Sequence, residues 1–420
     1  MKFQAPKGVS EYFPPRSNNF EWARDCLIAP IKEAGYEFVE LPVFEDTELF
    51  TRGVGASTDV VTKEMYTFED RGGRSLTLRP EGTVGALRCI IEHGLDRAGL
   101  PVKVYYSGQY FRAERPQAGR YRQFYQVGIE AVGSNDPALD AEIISIADAG
   151  YRKIGLTKFH LDITSLGDLN SRAAHRKDLV KFIESSGFDE ATLARAALNP
   201  LRLFDDKREE IIAKMSTAPI LLDYLSKEST AHFEQVKNYL TEMNIDFRIN
   251  PRMVRGLDYY TSTTFEFVHD LLGAQSGIGG GGRYDGLMEE IGGQPLTGMG
   301  FGLGVDRAVL AAEAEGITNP FSTGPDIFII PLGAKAKSAA LALTQELRGL
   351  EKRIEIAFDD RSLKACLKVA DKNGSKFAVI IGDSELESGI VEVKNMRTGL
   401  STSVTLTSLR STLLQESWTW

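Results

Sequence analysis

Cysteine is scarce in this chain. Cys26, Cys89 and Cys366 lie far apart in 420 residues and form no CxxC pair. Neither a disulfide framework nor a cysteine-held zinc is expected, and a reducing cytoplasm is. The five histidines, at 93, 160, 175, 232 and 269, show no metal-ligand spacing, so no metal site built from protein side chains is expected. No run of about 18 apolar residues occurs, so no membrane-spanning helix is expected. The first fifteen positions, MKFQAPKGVSEYFPP, hold no apolar core of a secretory signal, and none is expected. Basic residues are outnumbered, 49 against 58, for a net charge of −9. Such a balance argues against bulk binding of nucleic acid. The deficit is uneven, however. Residues 325–420 carry 13 Lys+Arg and 12 Asp+Glu, a net +1, which leaves −10 for the rest. A nucleic acid can still be met by a local basic face.

What is present is the composition of an ordinary globular protein, 42% hydrophobic and 25% charged, long enough for two or three domains. Ser17 or Asn18 offers an N-cap for a helix to about Ala34, with Phe20, Ala23, Leu27 and Ile31 on one face and Pro30 expected to kink it. YEFVELPVFE (36–45) alternates as a strand. Pro42 cannot donate to a ladder, which puts this strand at a sheet edge or a subunit interface. MYTFED and SLTLR flank Arg71-Gly72-Gly73-Arg74 as a hairpin. The hairpin delivers Arg79-Pro80-Glu81-Gly82-Thr83 to a helix from Val84 to about His93. From about 165 to 245 the pattern is helical only, as in an inserted lobe. Residues 311–324 have linker composition. Beyond them, alternating β and α segments, a hairpin (IVEVKN, LSTSVTL) and a short helix near 407–414 read as a separate α/β domain.

The densest stretch is 105–133, YYSGQYFRAERPQAGRYRQFYQVGIEAVG. It reads as strand, loop, strand, with arginines at 112, 115, 120 and 122 and with Gln126, Gly128 and Glu130 on one face. Four guanidiniums on one hairpin suit a polyphosphate, because each offers a planar fork of donors; taken alone, the loop is equally a solvated hairpin tip. Glu81 and Thr83 at a helix start are, taken alone, N-terminal capping. GIGGGG (277–282) matches GxGxxG, but no strand-then-helix unit surrounds it, so no dinucleotide site is expected. Gly298, Gly300, Gly302 and Gly304 leave one face of a strand bare, for a flat ligand or for tight packing. Lys364, Lys368, Lys372 and Lys376 recur every four residues, either as a solvated face or as a phosphate-contacting edge.

FRAERPQAGRYRQFYQ resembles motif 2 of class II aminoacyl-tRNA synthetases in its histidyl form, with Tyr125 where that family usually carries histidine. RGLDYY (255–260), followed by TTFEF, resembles the signature called histidine A. GGGRYDGL resembles the second histidine-specific signature, RPEGT the ammonium-binding loop, and TGMGFGLGVDR motif 3. The first helix, strand and Pro42 resemble motif 1, the dimer-forming element.

The resemblance implies an α/β protein in two parts. One is an antiparallel-sheet class II catalytic core over 1–324 with a helical insertion at about 165–245. The other is a mixed-sheet α/β anticodon-binding domain over 325–420. It implies a cytoplasmic homodimer acting on L-histidine, ATP with Mg²⁺, and tRNA(His). Arg112 and Arg255 would hold the α-phosphate, Arg255 also reaching the histidine carboxylate, while Arg120 and Arg307 would take the distal phosphates. Glu81, Thr83 and Gln126 would surround the ammonium. Glu130 and Tyr260 would hold the imidazole, and Tyr259 and Tyr284 would complete the histidine pocket. Arg115 and Gln117 would meet tRNA. A site that hydrogen-bonds a distinctive side chain rejects isosteres strongly, so no editing domain is expected. Two readings compete. One is a histidine-sensing regulatory paralogue of an ATP phosphoribosyltransferase, opposed by the full arginine set and the C-terminal domain. The other is a class II synthetase for proline, threonine or glycine, opposed by RGLDYY and GGGRYDGL.

Overall fold

The computed structural model describes residues 3–55, 58–97, 99–321, 324–349, 352–359 and 361–414. They fall into two compact units, 1–318 and 319–420. In chain order the first holds α1 (Arg16–Glu33), β1 (Glu37–Phe38), β2 (Phe44–Asp46), α2 (Thr47–Gly53), β3 (Tyr66–Glu69), β4 (Ser75–Leu78), α3 (Thr83–Glu92), β5 (Val102–Phe111), β6 (Gln123–Val132) and α4 (Pro137–Ile154). There follow β7 (Phe159–Ser165), α5 (Leu169–Ser185), α6 (Glu190–Leu198), α7 (Glu209–Met215), α8 (Lys227–Glu242), β8 (Arg248–Ile249), β9 (Thr261–His269), β10 (Gly277–Arg283), α9 (Leu287–Glu290), β11 (Gly298–Gly304) and α10 (Val305–Glu315).

Eight strands make one sheet in the order β1-β5-β6-β11-β10-β9-β7-β8. The ladders from β5 to β7 are antiparallel, and the edge strands β1 and β8 run parallel to their neighbours. Alternation divides the faces. Val127, Ile129 and Ala131 join Phe265, Phe267 and Phe301 in the core, under Leu27 and Ile31 of α1, Ile143 and Ala147 of α4, and Val236 and Leu240 of α8. The opposite face carries Gln126, Gly128 and Glu130, and there the helices leave room. Helix α4 shows how the sequence sets this layer. Asp136 caps it through the Ala138 amide, Pro137 starts it, and Gly155 ends it in the left-handed region.

The structure departs from the sequence reading in four places here. The expected 36–45 strand is two short strands in two sheets, β1 in the large one and β2 in a three-stranded sheet with β4 and β3. Pro42 has no N–H to give, and the carbonyls of Leu41 and Pro42 are taken instead by the buried Arg79 guanidinium, at 2.7 and 3.4 Å. Helix α1 begins at Arg16 behind Pro15, with no side-chain cap from Ser17 or Asn18. Helix α10 runs to Glu315 and is closed by Gly316, so the first part of the expected linker is helical. In the inserted region, α5, α6 and α7 share a core of their own, with Leu179, Ile183, Leu203, Ile211 and Met215. Helix α8 instead buries Phe233, Val236 and Leu240 in the body.

The second unit holds β12 (Ile327–Leu332), α11 (Ala334–Arg348), β13 (Ile354–Ile356), α12 (Leu363–Lys372), β14 (Phe377–Gly382), α13 (Asp383–Ser388), β15 (Ile390–Asn395), β16 (Ser401–Thr405) and α14 (Leu406–Leu414). The strand order is β13-β12-β14-β15-β16. The first three are parallel and the rest antiparallel, the mixed sheet expected from βαβαβ plus a hairpin. Lys364, Lys368 and Lys372 are exposed on α12. Lys376 lies beyond Gly374 and the end of the helix, as the sequence places it, and donates to Asp326 at 2.7 Å.

Candidate active site

A cavity of about 240 Å³ opens on the glycine-bearing face of the large sheet. Glu81, Thr83, Arg112, Arg120, Gln126, Arg255, Tyr259, Tyr260 and Arg307 all line it. They come from four separate stretches, the start of α3, the β5–β6 hairpin, the irregular loop before β9, and α10.

Glu81 is both a helix cap and a cavity residue. Its Oε2 accepts from the Thr83 amide at 2.8 Å and its Oε1 from the Val84 amide at 3.0 Å. Tyr259 donates to the same carboxylate at 3.3 Å. Burial pushes its pKa up, and the two amides pull against that shift. An anion held in this way at a helix start can receive a cation without reorganising.

The arginines differ in how far they are engaged. Arg112 donates from Nε to the Pro80 carbonyl at 2.9 Å and lies over the Phe124 ring at 5.4 Å. That contact holds the stem of a side chain that lines the cavity. Arg255 is more buried. Its Nη1 stands 3.5 Å from Glu266, its guanidinium covers the Tyr260 ring at 5.4 Å, and its buried Nε has no hydrogen-bond partner among the described residues. An unpaired buried donor is costly unless a ligand completes it. Arg120 is held by Glu114, with Glu64 at 3.6 Å. Burial and the neighbouring Glu114 charge push Glu64 up to about 7. Arg307 is tied to three protein acceptors, the Gly119 carbonyl at 2.8 Å, the Gly277 carbonyl, and Gln275 at 3.2 Å.

Glu130 and Tyr284 lie behind the cavity wall and do not line it. Glu130 is fully buried, with Tyr106 donating to Oε1 at 2.9 Å and Tyr284 to Oε2 at 2.6 Å. Burial outweighs these donors and pushes Glu130 up to about 8. The bare strand face is therefore only half bare. A Cβ added at Gly300 would strike the Glu130 carboxyl, and one at Gly298 the Tyr284 ring. Only Gly302 and Gly304 face the cavity. Arg115 and Gln117 are exposed at the hairpin tip, away from the cavity. There the Gln117 and Arg120 backbones pair at 2.9 and 3.1 Å and close the loop.

Three participants escaped the sequence reading. Tyr106 faces Gly128 across the β5–β6 ladder, and its ring fills the space that a side chain at Gly128 or Gly82 would need. A glycine opposite a tyrosine in register was the available signal. Asp306 accepts from Tyr12 at 2.7 Å and from the Tyr125 amide at 2.6 Å, and so anchors the cavity rim. Arg283 is fully buried and paired with the fully buried Asp140 at 2.6 Å, which fixes the strand end that presents Tyr284. GIGGGG itself is β10, an inner strand between β9 and β11. Among the described residues no group of three or more His, Cys, Asp and Glu is placed to hold a metal, and no helix is long and apolar enough to cross a membrane.

Comparison with known proteins bears on this site. Residues 8–308 match a family model described as histidyl-tRNA synthetase, and residues 326–416 one described as anticodon binding domain. The histidine–tRNA ligase of Saccharopolyspora erythraea is 56% identical over 397 residues, 94% of each chain. That of Mycobacterium tuberculosis (strain ATCC 25618 / H37Rv) is 56% identical over 407 residues, covering 97% of this chain and 96% of the relative. The crystal structure of apo S. aureus histidyl-tRNA synthetase superimposes with a TM-score of 0.83 at 36% identity, covering 98% of this chain and 100% of the other.

Proposed function

The chain belongs to the histidyl-tRNA synthetase family, and from that premise we propose that the cavity beside β6 and β11 is where L-histidine and ATP are joined. The activity is that of a histidine–tRNA ligase. Histidine is activated with ATP as histidyl-adenylate, with release of diphosphate, and the histidyl group is then transferred to the 3′ end of tRNA(His).

The residue roles follow from charge and reach. The histidine carboxylate attacks the α-phosphate, and that step needs positioning and neutralisation more than a strong base. Arg255 is the residue we assign to the α-phosphate and the attacking carboxylate; its buried Nε, without a hydrogen-bond partner among the described residues, is the observation that carries the assignment. Arg112, which lines the same cavity, joins it on the α-phosphate. Arg120 and Arg307 serve the distal phosphates, Arg120 by exchanging Glu114 for phosphate oxygens. Glu81, Thr83 and Gln126 receive the α-ammonium, and Tyr259 fixes Glu81. Tyr260 faces the imidazole. Glu130 and Tyr284 act from behind the wall, where Glu130 holds Tyr106 and Tyr284 holds Glu130. Arg115 and Gln117, exposed at the hairpin tip, are in position to meet the tRNA acceptor end.

Mg²⁺ enters this scheme as a companion of ATP. Glu64 and Glu114 are engaged with each other and with Arg120, and Glu266 stands 3.5 Å from Arg255, so the acidic groups beside the arginines already face cations, which does not fit a protein-held ion. A cation carried on the substrate phosphates does fit; when bound it neutralises phosphate charge. We place the catalytic domain at 1–324, with its insertion near 165–245, and the anticodon-binding domain at 325–420. A homodimer is supported by Phe38, Val43, Phe44 and Phe68, which are all exposed around β1, β2 and β3. An unpaired edge strand with apolar neighbours is a surface that another chain can cover. Sedimentation of the full chain would test it, and a monomer would overturn it. We propose the cytoplasm as its location, in keeping with a tRNA substrate.

ATP–diphosphate exchange, run with one amino acid at a time, tests the reading. Exchange with histidine alone is expected. Exchange with a different amino acid would move the pocket assignment, and histidine binding without exchange would remove the catalytic one.

A further inference from the structure

Arg255, Tyr259 and Tyr260 reach the cavity from residues 253–260, a stretch with no ladder of its own between β8 and β9. A segment of this kind takes its order from whatever its backbone groups bond to. Part of that order comes from the body, where the Asp258 amide donates to the Val54 carbonyl at 3.4 Å and Tyr259 reaches Glu81. The rest comes from the inserted lobe. Arg172 of α5 donates to the Tyr260 carbonyl at 3.2 Å. Arg202, after α6, donates to the Gly256 carbonyl at 3.2 Å. Asn199, at the end of α6, donates to the Asp258 carboxylate at 3.4 Å. The lobe therefore touches every second residue of the loop, at 256, 258 and 260.

The join between lobe and loop is polar and porous. Two cavities, of about 50 and 230 Å³, lie along it, and both are lined by Arg172, His175, Asn199, Leu201, Leu221 and Asp258. The lobe meanwhile packs on its own core. A body with its own core, joined through a few hydrogen bonds and unfilled space, can change its seating without unfolding the protein. Of the two arginine links, the one from Arg172 is partly buried and the one from Arg202 is exposed. Burial pulls the pKa of Arg172 down, with Asp258 opposing, and Tyr260 takes its one hydrogen bond among the described residues.

We propose that Arg172, with Asn199 and Arg202, positions the 255–260 loop, so that the seating of the inserted lobe sets how well the histidine pocket is formed. The proposal rests on the assignment of that loop to histidine. Arg172 touches no reacting atom; it is a positioning residue that acts through Tyr260 and Arg255. Anything that reseats the lobe, such as a macromolecule leaning on its outer surface, would then alter histidine activation without entering the cavity.

The test is steady-state exchange in the full chain with Arg172→Met, which keeps the stem and removes the fork, beside Arg172→Lys and Asn199→Ala. The expected result for R172M is a KM for histidine raised roughly tenfold or more, with the KM for ATP within about twofold, and partial recovery in R172K, which keeps one donor for the Tyr260 carbonyl. Hydrogen exchange of the 255–260 amides should quicken in R172M while the α5 and α6 amides stay protected. A folded R172M with an unchanged histidine KM overturns the proposal, as does an equal rise in both KM values. Should R172M fail to fold, N199A carries the same test, and unchanged loop protection together with unchanged histidine KM in that variant overturns it. A wild-type protein without histidine-dependent exchange would instead be a failure of the functional reading.

Discussion

Tyr284 donates its hydroxyl proton to Glu130 at 2.6 Å, and neither side chain lines the cavity that they were expected to form. The pair is a wall. Tyr106 completes it from β5, and Gly82, Gly128, Gly298 and Gly300 supply the space in which these three large side chains fit. Bulk on one strand is matched by its absence on the next, so the glycines nearest the cavity have opposite uses.

Gly300 and Gly302 should separate in mutation. A Cβ at Gly300 would collide with the Glu130 carboxyl and the Ile129 carbonyl, whereas one at Gly302 would meet only Gln126, at 3.3 Å or beyond. Gly300→Ala is expected to cost about 1–3 kcal/mol or more, as overpacking does. Gly302→Ala should fold normally and raise the KM for a substrate, because it narrows the cavity and presses on Gln126. Urea unfolding and exchange kinetics on both variants would check this. Equal stability of the two would mean that the wall yields more easily than its packing implies.

Glu130 should leave a mark on stability against pH. Burial raises its folded-state pKa to about 8, above that of the unfolded chain. Between those values the folded protein keeps a proton that the unfolded chain has released. The contribution is thus whole below the ordinary carboxylate range and is lost as pH rises toward about 8, at up to about 1.4 kcal/mol per pH unit. Glu130→Gln removes the titration, so its melting temperature should fall less than that of the wild type between pH 5 and 9. Parallel curves would assign the slope to other groups.

Arg255→Ala should leave a folded protein and lower histidine-dependent exchange by about 10²–10³, the effect of deleting one donor from a preorganised oxyanion-type site. Its main protein contacts, Glu266 and the Tyr260 ring, are themselves at the cavity. Arg307→Ala should differ. Three protein acceptors hold Arg307, and its loss should lower stability along with ATP use. A folded R255A with wild-type exchange would refute the assignment of the α-phosphate to Arg255.

The elements that follow local rules were legible in the sequence. The hairpin from β5 to β6, the helix after RPEGT and the alternating second unit are set by period, caps and turns, and they stand where the pattern put them. The site arginines and Glu81 were legible only through the resemblance, because their spacing alone fits a solvated hairpin tip and a helix cap equally well; the structure brings Glu81, Arg112, Arg120, Arg255 and Arg307 to one cavity. What failed depended on distant partners. The 36–45 strand was broken by Arg79, more than thirty residues onward, which takes the Leu41 and Pro42 carbonyls. The glycine face was filled from β5, β6 and the turn after β10. Helix α8 looked like more of the insertion because an amphipathic period names a buried face and not the body that buries it.

The lysines of the second unit offer the last separation. Lys364, Lys368 and Lys372 are exposed along α12, while Lys376 gives its charge to Asp326. If the row meets tRNA phosphates, each lysine released from it should flatten the salt dependence of tRNA binding by roughly 0.7–0.9 in log–log slope. Lys364→Gln with Lys368→Gln should raise the KM for tRNA in charging and leave histidine-dependent exchange as it was. Lys376→Gln should change neither, because its loss breaks a local pair of small worth. Charging and exchange assays at two salt concentrations would decide it. Equal effects from all three positions would mean that the anticodon unit responds to total charge, and no effect from any would leave the row as a solvated helix face.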